Sequence, residues 1–168
     1  MRLRIKIDAP DDGDPPSPFP ADTIDKLERV FEEELPRLRK ELEHYSEAEV
    51  SVSFLSMSEM KDLNKQYRGV DEPTDVLTFP LLEEEGRFAL PAPFGMLSLA
   101  LGDIVICPEE TEREHAPMTR RSALCLVLAH GFLHLLGWDH DTPEKEEVMW
   151  ERQELLKSKL LNAAEEVF

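Results

Sequence analysis

The sequence predicts an α+β fold, a mixed sheet of about four strands packed with helices, one of them buried in the core. Three observations predict it. Residues 2–8 and 48–55 alternate polar and apolar side chains, the period of a half-buried strand. Residues 22–43 repeat apolar side chains at helical spacing. Residues 123–136 are apolar nearly all round, which places that helix inside the protein. At 168 residues, the chain is read as a single domain, 1–168, long enough to bury a substantial core.

In order, the first strand turns Leu3, Ile5 and Ile7 inward, and a loop rich in Pro, Asp and Gly runs from Ala9 to Pro20. Asp22 is the expected N-cap of a helix whose inner face is Ile24, Leu27, Val30, Phe31, Leu35, Leu38 and Leu42. Pro36 should kink or divide it. After the strand at 48–55, Ser56 or Ser58 caps a short helix that reaches Tyr67 and Arg68 and ends at Gly69. Pro73 and Pro80 bracket a strand-like run, 74–79. Residues 81–99 read as a loop broken by Gly86, Pro91, Pro93 and Gly95, with room for a short hairpin. Residues 102–106 form a core strand, and Pro108 suits the first turn of a helix reaching His115. His44 and His115 read as surface residues without a metal role. Pro117 breaks the chain and Thr119 caps the buried helix. Thr142, Pro143 and Glu144 then start a last helix to about Leu161, with Val148, Met149, Leu155, Leu156 and Leu160 as its buried stripe.

The net charge of −17 argues against a broadly basic surface of the kind that binds polyanions. Its carboxylates concentrate in 22–43, 144–166 and 83–85, which read as solvated faces. Lys61, Lys65, Arg68, Arg113, Arg120 and Arg121 are the basic residues available to line one side of a cleft. Cys107 and Cys125 sit in apolar segments and read as buried, reduced thiols. With no long apolar run and an N-terminus that alternates charged and apolar residues, the expectation is a cytoplasmic protein without a membrane partner.

The chemistry concentrates in HGFLHLLGWDH, residues 130–140. On a helix His130 and His134 lie roughly 40° apart around the axis, one turn along the same face. Gly137 can stop the helix and turn the chain back, returning His140 to the same point. Three neutral imidazoles suit zinc, nickel or cobalt and leave a coordination position open, which reads as catalytic. The competing reading is two hydrogen-bonded core histidines and one surface histidine. A metallopeptidase of the H-E-x-x-H type needs a glutamate base at the second position. Gly131 stands there instead.

HGFLHLLGWDH resembles, at every fixed position, the H-G-x-L-H-L-x-G-x-D-H signature of the YbeY family of bacterial metal-dependent endoribonucleases. NKQYRGVDEPTDVLTFP, residues 64–80, and LGDIVIC, residues 101–107, resemble two further blocks of that family, with Thr78 where serine is common. The resemblance implies a zincin-like metallohydrolase architecture and one zinc ion, or nickel or another divalent ion, on His130, His134 and His140. It also implies a catalytic Arg68, whose fork of donors can grip two phosphate oxygens. For an isolated arginine, a helix cap or a salt bridge to Asp71 or Asp75 would be the default. Asp139 is open to two roles, general base or orienter of an imidazole N–H.

The implied activity is single-strand-specific RNA cleavage in rRNA maturation, at the 16S rRNA 3′ end, and in ribosome quality control. Single-stranded rRNA and the ribosome or ribosomal proteins are the expected partners. Two other classes stay open: a metallohydrolase of amides or esters, and a non-catalytic ribosome assembly factor with a structural metal.

Overall fold

The protein is described by a computed structural model over residues 1–91 and 98–164. Pro93 and Gly95, read above as breakers, and Glu165 and Glu166 of the last acidic run lie outside the described residues. The elements are β1 (Arg2–Ile7), α1 (Ala21–Leu38), a 3₁₀ turn (Lys40–His44), β2 (Glu47–Phe54), α2 (Met57–Arg68) and β3 (Val76–Pro80). There follow β4 (Glu83–Glu84), β5 (Arg87–Phe88), β6 (Ser98–Ile106), α3 (Pro108–Glu114), α4 (Arg120–Leu135) and α5 (Pro143–Ala164). The four-stranded sheet has the order β1-β2-β6-β3. β1, β2 and β6 are parallel, and β3 closes one edge antiparallel to β6, with Val76 opposite Ile106 and Phe79 opposite Asp103. The mixed sheet and the α+β class are as expected.

β6 carries one residue more than β2 where Glu49 pairs with Ala100 and Val50 with Gly102. Gly102 adopts φ +134°, and a Cβ there would stand 2.3 Å from the Phe79 carbonyl oxygen, so this bulge admits only glycine. α1, α4 and α5 pack into one core with the sheet; Phe31 of α1 stacks on Phe132 of α4 with ring centres 3.8 Å apart. Cys107 and Cys125 are free and buried, and burial pushes both thiols up, Cys125 to about 11. No described helix is long and apolar enough to cross a membrane.

Local chemistry sets the boundaries. Ser56 accepts from the Glu59 amide at 3.2 Å, Thr119 from Ser122 at 3.2 Å and Thr142 from Lys145 at 3.3 Å, so three caps stand where the sequence puts them. Gly69 ends α2 in the left-handed conformation, φ +72°. Asp22 is not a cap: Pro20 occupies that position and its carbonyl accepts from Thr23 and Ile24, leaving Asp22 in the first turn. Pro36 is accommodated near the end of α1, which stops at Leu38 and tightens into the 3₁₀ turn. The short hairpin exists as β4–β5, turned through Glu85 and Gly86, both at positive φ.

Three further expectations need correction. The buried seam of α5 is Met149, Leu156, Leu160 and Ala164, while Val148 and Leu155 point outward, about 100° off that line. The acidic run of α1 is not simply solvated. Glu32 accepts from the Leu3 amide at 2.9 Å and Glu28 from the Ile5 amide at 2.7 Å, and buried Glu34 pairs with Arg37 and Lys159. His115 is not a free surface residue; it is half-buried, its Nε2 2.7 Å from Asp75 Oδ2.

Candidate metal centre

α4 lies against β3 and β6, and Gly131 allows the close approach. A Cβ at that position would meet Ile104 Cγ2 at 2.9 Å and Thr78 Cγ2 at 3.3 Å. A glutamate in the peptidase position would have no room, so the missing base is also a packing requirement. One turn of α4 presents His130 and His134 on the face beside β3, and both are half-buried. Gly137, at φ +81°, then reverses the chain; a Cβ there would strike Phe88 Cβ at 2.5 Å. Arg39 reaches across from the end of α1, its Nε donating to the Leu136 carbonyl at 2.8 Å. Its guanidinium lies over the Phe88 ring at 4.4 Å. That clamp fixes the turn that brings His140 back.

The three histidines converge as predicted: one ring nitrogen of each lies within 4.8 Å of the others. His130 Nε2 and His134 Nε2 stand 3.0 Å apart. His130 Nδ1 donates to Gln153 Oε1 at 2.7 Å, which leaves Nε2 of that ring as a bare lone pair facing its neighbours. Burial holds both imidazoles below the ordinary histidine value, His134 at about 4, with the neighbouring rings as the second cause for His134. Three imidazole nitrogens, with one tautomer fixed from behind, fit a borderline divalent cation. Among the described residues no fourth His, Cys, Asp or Glu joins this group.

Arg68 opens onto the same place. His130, His134, His140, Tyr67, Arg68 and the β3 residues Val76 to Phe79 line one cleft of about 390 Å³. The salt bridges considered for Arg68 do not form, since Asp71 pairs with Lys65 and Asp75 with His115. Of the other basic residues, Arg113 and Arg120 are paired with Glu110 and Glu112 on α3. A second depression, reached past Thr78 and His134, is lined by Arg87, Phe88, Trp138 and Asp139. Asp139 Oδ1 accepts from the His140 backbone amide at 2.8 Å, so it shapes that loop, and the imidazole-orienting task falls to Gln153.

Gln153 and Tyr67 are the residues that sequence reasoning missed. Gln153 carried a signal, a polar side chain four residues after Met149 and three before Leu156, inside the buried seam of α5. Tyr67 is 59% exposed beside Arg68, its ring braced edge-on by Phe79 with centroids 4.9 Å apart.

A mixed sheet whose antiparallel edge strand walls a cleft, over a buried helix bearing two histidines four apart, defines a zincin-like fold. Residues 20–161 match the family described as Endoribonuclease YbeY, and the chain belongs to that family. It is 40% identical over 145 residues to Endoribonuclease YbeY of Bacillus subtilis (strain 168), covering 80% of this chain and 91% of that protein. With Endoribonuclease YbeY of Thermoanaerobacter pseudethanolicus it shares 39% identity over 140 residues, 80% of this chain and 87% of that one. The solution structure of TM1509 from Thermotoga maritima superposes with a TM-score of 0.52 at 32% identity, covering 95% of this chain and 90% of that one.

Proposed function

We propose that this chain is a single-strand-specific, zinc-dependent endoribonuclease, with the ion held by His130, His134 and His140 and with Arg68 as its catalytic residue. The endoribonuclease class follows from the family. One observation carries the finer reading: Arg68, which has no carboxylate partner among the described residues, and all three histidines line the same cleft. Zinc held by these three histidines would supply Lewis-acid chemistry to the cleft. The guanidinium of Arg68 holds two phosphate oxygens while negative charge accumulates on them. Gln153 keeps the proton of His130 on Nδ1, away from the cleft. Tyr67 offers a ring face to an unstacked base, which an RNA duplex cannot supply. Asp139, in the adjoining depression, is the base candidate. The setting is rRNA maturation, at the 3′ end of 16S rRNA, and ribosome quality control in the cytoplasm. There the ribosome presents the RNA to a protein whose net charge of −17 repels free polyanions.

The test is zinc content and cleavage of a single-stranded RNA oligonucleotide by wild type, His134→Ala and Arg68→Ala, matched for folding by circular dichroism. Expected are one zinc per chain, lost in His134→Ala and kept in Arg68→Ala, with cleavage lost in both. Zinc binding with cleavage indifferent to Arg68 would overturn the catalytic assignment and favour an assembly factor with a structural metal.

A further inference from the structure

Behind the cleft wall, where β3 begins and α3 ends, a second group of ligand-type side chains meets. Asp75, Glu114 and His115 each place one ligand atom within 4.8 Å of the others. Asp75 is held in position: Oδ1 accepts from the Val76 amide at 2.7 Å and the Thr74 hydroxyl at 3.3 Å, while Oδ2 faces His115 Nε2 at 2.7 Å. Glu110, one turn before Glu114, is 2% exposed. Its Oε1 accepts from Arg113 at 2.9 Å, yet its Oε2 is buried with no hydrogen-bond partner. The carboxyls of Glu110 and Glu114 are in contact, and neither can donate unless protonated. Desolvation, with Asp75 and Glu110 alongside, pushes Glu114 up to about 7. Three carboxylates are thus set against one arginine and one histidine. Either a proton shared between Glu110 and Glu114 or a bound cation would satisfy this buried acceptor and offset the excess of negative charge.

We infer that Asp75, Glu114 and His115 form a second divalent-cation site, separate from the three-histidine group, with the buried Glu110 carboxylate behind it. Two carboxylates and one imidazole suit an ion that takes mainly oxygen ligands, such as Mn²⁺. The site joins the residue before β3 to the end of α3, and β3 is the strand whose residues wall the cleft. Its ion acts as a brace on that wall and takes no part in the reaction. This inference stands independently of the nuclease reading.

Mn²⁺ itself is the probe. Full-length protein stripped with a chelator is titrated in physiological salt, and bound Mn²⁺ is counted by the loss of its free electron-paramagnetic signal. Wild type, Glu114→Gln, His115→Gln and His134→Ala are compared. Glu114→Gln and His115→Gln should each lose one equivalent per chain, and His134→Ala should keep that equivalent and gain thermal stability with Mn²⁺. Glu114 is exposed and glutamine is isosteric, so this variant remains informative even if His115→Gln fails to fold. Equal Mn²⁺ counts in wild type and Glu114→Gln, or no Mn²⁺ bound by His134→Ala at millimolar concentration, overturns the site.

Discussion

Gly131→Ala should destabilise the protein although it replaces a mid-helix glycine, where alanine ordinarily helps. The alanine methyl would lie 2.9 Å from Ile104 Cγ2 and 3.3 Å from both Ile104 Cδ1 and Thr78 Cγ2. Carbon atoms rest at about 3.5–4.0 Å, so a gap of roughly 0.6 Å or more must open between α4 and the sheet. Ile104 is β-branched and fully buried between strands, so it cannot simply swing away. Overpacking of this kind costs about 1–3 kcal/mol. The intrinsic gain of alanine over glycine in a helix offsets about 0.5–1 kcal/mol of that. The middle of these ranges leaves a net loss of about 1 kcal/mol, which for a chain of this size lowers the melting midpoint by about 2–4 °C. Thermal and urea unfolding followed by circular dichroism would measure it. Because the methyl pushes on the turn that carries His130 and His134, zinc affinity should fall as well. A Gly131→Ala protein as stable as wild type, or more so, would refute the argument that glycine is required by the approach of α4 to Ile104.

Gln153→Leu keeps the volume but removes the acceptor that fixes His130; zinc affinity measured by competition with a chelator should drop about 10–100-fold, and an unchanged affinity would remove Gln153 from the site. His134 is held at about 4 against an ordinary 6.5, so the unfolded chain takes up a proton there before the folded one does. Its contribution is complete above pH 6.5 and drains away as pH falls toward 4, a loss of about 2 kcal/mol after allowance for partial exposure. Urea midpoints of metal-free wild type should therefore fall more steeply over that window than those of His134→Gln, and parallel curves would contradict the assignment. Tyr67→Ala should weaken single-stranded RNA binding by the worth of one stacked base, about 1–3 kcal/mol, as a higher KM. Tyr67→Phe should keep wild-type KM; equal loss in both variants would rule out stacking.

The histidine group could be read from sequence because one helix and one turn contain it. Spacing on a helix and a glycine stop are local facts, and they bring His130, His134 and His140 together without knowledge of the rest of the fold. The caps at Ser56, Thr119 and Thr142 are local in the same sense. What escaped the reading depends on contacts between distant segments. Gln153 meets His130 across 23 residues, His115 meets Asp75 across 40, and Arg39 meets Leu136 across 97. No periodicity encodes such pairs. The exposed positions of Val148 and Leu155 are a nearer miss: both are apolar at plausible spacing, and only packing decides which of two adjacent stripes faces in. Glu28, Glu32 and Glu34 show how charge counting misleads, since a carboxylate that satisfies backbone amides or a buried ion pair looks the same in sequence as one that meets water.

Those glutamates bear on how the protein behaves in company. β1 is a terminal strand of the sheet, and in a parallel arrangement its outward amides would be free to recruit a strand from another molecule. Glu28 and Glu32 take the amides of Ile5 and Leu3 first, so helix α1 acts as a stopper on that edge. A neighbouring chain would have to displace two hydrogen-bonded carboxylates before it could add a single rung. The side of the sheet farthest from the cleft is thereby closed to growth, and the acidity that sits awkwardly with RNA has a second use in keeping copies of this protein apart.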